Sequence, residues 1–281
     1  MVQQMHIAAT VNSNFLKPLQ VCLLSILQNN PSMDIYFHII GEQLSESEQA
    51  SFEVLSECFS QCREIEFLSP NSEPYETANT DSRIPMAAYY RLDLPQMLPE
   101  LSRLLYIDCD MVCDDSLLEL WQTNLQGKVI GAVEDAGYVQ RLSEMRIQCR
   151  DQTYFNSGLL LIDMDAWREQ DITAKAQLFI QQHGDLLLYH DQDVLNAVLA
   201  DNWYYLHPRY NAQSRLVRRE QVHPDLYREK LAEEARQQPA IIHYSGRSKP
   251  WITQGARPHP WRCVYQNYAA LLHHFSQLQR G

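Results

Sequence analysis

The 281-residue chain contains no apolar run approaching the ~20 residues that a membrane-spanning helix requires. Its first residues, "MVQQMHIAAT", lack the basic segment and following apolar stretch of a secretory signal, so a cytoplasmic location is expected. Positive charge is scarce: 23 Lys and Arg face 35 Asp and Glu, a formal net charge of −12. A phosphate-tracking nucleic-acid binder shows basic footprints, and that class is set aside. Anionic ligands stay open, because cations cluster between Arg209 and Lys230, among them Arg215, Arg218 and Arg219. That cluster reads either as a solvated face or as a local surface for an anionic lipid or acceptor. The seven cysteines show no zinc-knuckle spacing. Cys58 and Cys62, like Cys109 and Cys113, lie four apart, and the expectation is buried free thiols in a reducing compartment. Internal repeats and low-complexity segments are also missing.

What is present is the composition of a soluble globular protein, 45% apolar and 21% charged, long enough to bury a sizeable core. "HIAATV" (6–11), "DIYFHII" (34–40) and "EIEFLS" (64–69) read as strands. Between them, Phe15, Leu19, Leu23, Ile26 and Leu27 take helical spacing, and the capping-box pattern of Ser45 and Glu48 precedes a second helix over 52–59. A β-α-β-α-β start predicts a parallel sheet with helices on its faces. Further strands are expected over 103–112, 129–135, 155–164, 203–208 and 240–245, and helices over 165–183, 192–200 and 224–237. The polar, proline-bearing stretch 69–85 has no periodicity and reads as a surface loop or a mobile lid over a ligand.

Chemistry concentrates in "RLLYIDCDMV" (103–112), a buried strand that ends in Asp108 and Asp110. In a continuing strand both acids would point to one face. Acids at the C-terminal end of a parallel strand sit where open α/β sheets bind ligands. Two clustered carboxylates repel unless a cation lies between them, and Mg²⁺ or Mn²⁺ takes such oxygens while bridging to substrate phosphates. A turn at a strand end is the plainer alternative. Phosphatases of the haloacid dehalogenase type and nucleotide-sugar transferases both carry Asp-x-Asp. No Gly-Asp with a suitably spaced second Asp follows here, since "HGDLLLYHD" (183–191) has the wrong gap, which disfavours the phosphatase.

Several stretches together resemble the retaining glycosyltransferases of family 8, which include bacterial lipopolysaccharide α-galactosyl- and α-glucosyltransferases and glycogenin. They are "MAAYYRLDLPQMLPELSRLLYIDCDMV" (86–112), "YFNSGLLLID" (154–163), "YHDQDVLN" (189–196) and "HYSGRSKPW" (243–251), in order within residues 6–261. The resemblance implies an α/β fold of the GT-A type, a Rossmann-like mixed sheet flanked by helices, over residues 1–258, followed by a helical tail over 259–281. It implies Mn²⁺, with Mg²⁺ as the alternative, on Asp108, Asp110 and His243. It also implies a UDP-hexose donor, UDP-galactose or UDP-glucose. Ala9, Thr10, Asn12 and Asn14 would hold the uridine, with Cys109 between the two acids also at the nucleotide. Many relatives have an acid in place of Asn12. Arg91, Asn156, Ser157, Asp191 and Gln192 would contact the donor sugar, and Gly246 and Lys249 the diphosphate.

The implied reaction is retaining, metal-dependent transfer of a hexose to a glycan acceptor, a saccharide that is lipid-linked if the bacterial relatives are a guide. The alternatives are glycogenin-like or protein-directed glucosylation, and a catalytically silent nucleotide-sugar binding module. Gln192, Asp191 and Asp193 are the candidate catalytic residues, with Gln192 at the reacting face and same-face attack favoured over double displacement. The tail carries Trp261, Tyr265, Tyr268 and Phe275, which could form an interfacial membrane helix or pack on the domain; packing is the expectation.

Overall fold

The computed structural model describes residues 3–42, 44–76, 86–252 and 257–278. Its strands are β1 (Gln3–Val11), β2 (Met33–Gly41), β3 (Cys62–Leu68), β4 (Arg103–Ile107), β5 (Met111–Cys113), β6 (Ile130–Glu134), β7 (Phe155–Asp163), β8 (Trp203–Tyr205), β9 (Ala212–Gln213) and β10 (Ile241–His243). Seven of them form one mixed sheet, in the order β3-β2-β1-β4-β7-β6-β8. The pairs among β3, β2, β1 and β4 are parallel, while β7 runs antiparallel to both neighbours. A second sheet of three short strands has the order β5-β10-β9.

The alternation along each central strand divides the core. Met5, Ile7, Ala9 and Val11 of β1, with Leu105 and Ile107 of β4, face the helix Leu16–Asn29. Tyr106, Leu160 and Ile162 face the opposite side, under Trp167, Ile180 and Leu195 from the helices after β7. This period-two segregation is what a sheet covered on both faces demands.

The strand expected over 103–112 is broken. β4 stops at Ile107, the chain turns through Asp108–Asp110, and β5 enters the second sheet. The two acids therefore converge through a turn, not through the pleat of one strand. The helix expected over 165–183 is two helices, Met164–Glu169 and Ile172–His183, separated by Asp171 at φ 52°. The capping box at Ser45 and Glu48 is present, but it starts the short helix Glu46–Ala50, and Glu53–Cys58 follows separately. All cysteines are free. Four are buried as expected, Cys149 is half-buried, and Cys58 and Cys263 are exposed.

Of the polar stretch 69–85, residues 77–85 lie outside the described residues. The part before them is anchored: Tyr75 is buried, stacks on Tyr89 and donates a hydrogen bond to Asp93 Oδ1 at 2.7 Å. The C-terminal helix Arg262–Leu278 lies against the helix Leu16–Asn29 and the β5 end. Tyr268 accepts from Asn29 Nδ2 (2.8 Å) and donates to Asp114 (2.9 Å), Phe275 packs edge-on against Phe59, and Tyr265 and Leu272 are buried. The aromatic side chains that could have met a membrane interface are thus engaged by the domain. Among the described residues no helix is long and apolar enough to cross a membrane.

Candidate active site

The connection from β1 leads to β2 on one side, whereas β4 pairs on the other, so the C-terminal ends of β1 and β4 flank a topological switch point. An open cleft of ≈ 930 Å³ lies there. Thr10 and Asn12 from the end of β1, the turn Asp108–Asp110, Asn156 and Ser157 from the start of β7, and the segment Ser245–Lys249 all line it. The β6–β7 pairing slips here, with Ala132 opposite Leu160 but Val133 opposite Asn156. That irregularity re-aims the first residues of β7 toward the acid turn. Gly158 lies within it, and its carbonyl accepts from Asp108 N at 2.8 Å. A Cβ at Gly158 would come within 2.7 Å of both Asp108 Oδ2 and His243 Cε1, so only glycine leaves room for the acids and the imidazole together.

One ligand atom from each of Asp108, Asp110 and His243 lies within 4.8 Å of the others. His243 Nε2 is 3.3 Å from Asp110 Oδ1 and 4.0 Å from Asp108 Oδ2. Its other nitrogen, Nδ1, meets Asn211 Oδ1 at 2.8 Å. A chain of side-chain amides fixes which atom of that contact donates. Asp135 Oδ2 accepts from Gln192 Nε2 (3.2 Å) and Asn156 Nδ2 (3.3 Å). Gln192 Oε1 therefore faces Asn156 Nδ2 (2.9 Å) and the Ser157 amide (3.1 Å). Asn156 Oδ1 accepts from Asn211 Nδ2 (2.8 Å), which turns the Asn211 oxygen toward His243. Nδ1 must then carry a proton, which leaves Nε2, the nitrogen facing the two carboxylates, as the atom available to a metal. Three ligand atoms converging in this way fit a divalent cation, and an imidazole among them suits Mn²⁺ better than Mg²⁺.

Charge around the triad is tightly managed. Burial opposes ionisation of Asp110, but Lys249 and His243 outweigh it and hold this carboxyl well below the usual range. Lys249 Nζ bonds both Asp110 Oδ2 and the Tyr244 carbonyl. The buried Arg91 pairs with Asp108 (3.1 Å) and Asp191 (3.2 Å), donates to the Ser157 carbonyl (2.7 Å) and lies over the Tyr106 ring. Burial works against its charge and the two carboxylates more than restore it. Asp191, also bonded by Ser157 Oγ, is raised by burial despite Arg91. His190 precedes it at φ 48°, a positive φ that turns the chain sharply into the helix Asp191–Val198. Asn196 then clamps that helix to β7 through both the N–H and C=O of Phe155, each at 2.8 Å.

Of the residues singled out from sequence, Thr10, Asn12, Arg91, Asp108, Cys109, Asp110, Asn156, Ser157, Asp191, Gln192, His243, Gly246 and Lys249 line this cleft. Cys109 donates its thiol to the Thr10 carbonyl, and burial pushes that thiol far up, so it is neutral. Gly246 has φ +85° with open space around its Cβ position, so its requirement is conformational. Three residues lie elsewhere. Ala9 is buried in the core beneath the strand end, and Asn14 is exposed beside the turn that Asn12 caps. Asp193 is fully buried. It pairs with Arg141 (3.0 Å), accepts from Tyr154 OH (2.7 Å) and holds the amides of Leu188 and Tyr189. It anchors the loop before the helix and faces away from the cleft.

Over residues 6–255 the sequence matches the profile described as glycosyl transferase family 8. The chain belongs to this family. General stress protein A of Bacillus subtilis (strain 168) is 36% identical over 269 residues, 94% of this chain and 92% of that protein. The lipopolysaccharide 1,2-glucosyltransferase of Escherichia coli (strain K12) is 29% identical over 254 residues, 88% of this chain and 72% of that enzyme. Among solved structures, the galactosyltransferase LgtC in complex with donor and acceptor sugar analogues superposes with a TM-score of 0.82. It is 25% identical, over 95% of this chain and 96% of that one. The mixed sheet with its helices on both faces is the GT-A fold, and the family makes the chain a glycosyltransferase.

Sequence reasoning missed Asp135, which orients Gln192, and Asn211, which orients His243. Asp135 carried a usable signal, an acid closing the apolar run "VIGAVED" much as Asp108 closes its own. Asn211 sits in a short 3₁₀ turn, Pro208–Asn211, with no pattern around it.

Proposed function

We propose that the protein is a retaining, metal-dependent hexosyltransferase that moves galactose or glucose from a UDP-sugar to a saccharide acceptor. The observation that carries this is the triad of Asp108, Asp110 and His243 set beside the Gln192 amide in one cleft. A divalent cation bound there would stabilise the charge that develops on the departing diphosphate. Asp108, Asp110 and His243 would hold it. Lys249 would add a point charge for the same diphosphate, and Gly246 a backbone free to approach it. Lipopolysaccharide, the acceptor class in the names of several relatives, makes a lipid-linked glycan the leading acceptor. Residues 1–258 would form the transferase domain and 259–281 a helical brace on it.

In the reaction the acceptor oxygen bonds to the anomeric carbon, the carbon–oxygen bond to the diphosphate breaks, and the hydroxyl proton passes to the departing diphosphate. Retention needs either same-face attack or two inversions through an enzyme carboxylate. Asp193 is walled off behind Arg141, and Asp191 is occupied by Arg91 and Ser157, which supports same-face attack. Gln192 would steady the cationic sugar with its carbonyl dipole.

The test is UDP release and product mass with UDP-galactose and UDP-glucose. Asp108→Ala and Asp110→Ala should each lower transfer by roughly 10²-fold or more. Full activity in excess EDTA removes the metal, and a β-linked product in the NMR spectrum removes retention.

A further inference from the structure

Five cations line the cleft of a chain whose net charge is −12: Arg91, Arg215, Arg218, Arg247 and Lys249. Arg91 and Lys249 are committed to Asp191, Asp108 and Asp110. Arg215, Arg218 and Arg247 carry no ion pair among the described residues. Arg215 lies over Gly137, where an added Cβ would collide with its Nη1 and would sit 2.9 Å from Asp135 Oδ1. Asp135 is the carboxylate that orients Gln192, so Arg215 stands beside the reacting centre.

Among the described residues, Arg218 and His259 each hold a buried donor with no hydrogen-bond partner. Arg218 gives Nη2 to the Arg257 carbonyl at 3.1 Å, but its Nε is buried without a partner. His259 accepts from Trp261 N on Nδ1, so Nε2 carries the proton, and that nitrogen is also buried and unpartnered. Unpaired buried donors each cost free energy, and a native protein keeps them where something else supplies the acceptor. Arginine forks match the paired oxygens of phosphate-type anions better than lysine does.

We infer that the acceptor carries a phosphate-type anion, free or in a lipid headgroup, which docks on Arg215, Arg218 and Arg247 and presents its hydroxyl toward Gln192. This rests on the reading of the cleft as a UDP-hexose transferase site and supplies its acceptor class. Exposed Val222, Leu226 and Tyr227, just after these arginines in the chain, make a lipid source worth a separate arm.

Protein saturated with UDP and Mn²⁺ is titrated with glucose 6-phosphate against glucose, and with phosphatidylglycerol against phosphatidylcholine vesicles. At least one anionic probe should bind roughly tenfold tighter than its neutral counterpart. The doubly substituted Arg215→Ala, Arg218→Ala protein should lose that preference and keep its UDP affinity. Preference for the sugar phosphate identifies a soluble acceptor, and preference for the vesicle a lipid one. Equal binding of anionic and neutral probes overturns the inference. So does a parallel loss of UDP affinity in the variant, which would assign these arginines to the donor diphosphate. Wild-type protein that binds no UDP removes the transferase reading itself, and this inference with it.

Discussion

Asn211 belongs to no motif, yet the ring orientation of the candidate metal ligand His243 depends on it. Its oxygen faces Nδ1 only because Asn156 and Gln192 are themselves turned by Asp135. Asn211→Leu should therefore weaken Mn²⁺ binding about 10–100-fold, as loss of an outer hydrogen-bond partner does at metal sites. Metal titration checks it, and unchanged affinity would mean that the ring is oriented by something else. The "DQD" run shows how far a motif can be read. Successive residues of a helix point about 100° apart, so Asp191, Gln192 and Asp193 meet three different environments. Asp193→Ala should lower stability by about 3–5 kcal/mol, because it removes the buried carboxylate that pairs with Arg141. Gln192→Ala should leave the thermal midpoint in place and reduce transfer without abolishing it. Unfolding curves and UDP-release rates separate the two. The acids were legible because buried strands seldom end in two of them. Their separate tasks were not, since rotation about a helix axis leaves no mark in the one-letter code.

At the scale of elements, the C-terminal helix is held by a face that its own sequence does not identify. Its aromatic spacing suited a membrane interface as well as a protein interior, packing being the expectation, and the partner surface, Asn29, Phe59 and Asp114, comes from distant segments. Leu272→Ala should destabilise the whole domain by about 2–5 kcal/mol, which a denaturant titration would register. No loss would mean that the helix is a dispensable appendage. The same contrast separates the strands. β1, β2 and β3 announce themselves in runs of seven to nine residues. β5 and β9 have only two or three each and gain their identity from pairing, while β10 lies within the strand expected over 240–245. Hence the parallel half of the sheet was foreseeable, and of the second sheet only its central strand β10 was.

For the molecule as a whole, two histidines tie stability to pH. Burial, with His38 beside it, lowers His6 from 6.5 to about 4. Burial does the same to His259, helped by Arg218, His243 and Lys249. Both are neutral when folded and titrate near their ordinary value when unfolded. Between about pH 6.5 and pH 4 the unfolded chain thus binds more protons, and stability falls as pH falls. The thermal midpoint should drop from pH 7 to pH 5. His259→Asn, which keeps an acceptor for Trp261 N, should flatten that slope. An unchanged slope would place the pH dependence in His6 or elsewhere.

The two sheets meet at the acid turn. Asp108 is tied to the larger one through Gly158, and Asp110 to the smaller one through Tyr244 N at 3.0 Å. The tripeptide Asp108–Asp110 carries the chain from one sheet to the other, and its two ends are the two carboxylates. Whatever draws those carboxylates together works as a rivet through both plates. Residues that touch no ligand, Met111–Cys113 on one strand and Ile241–Ile242 on the next, would register occupancy of the cleft as stiffness.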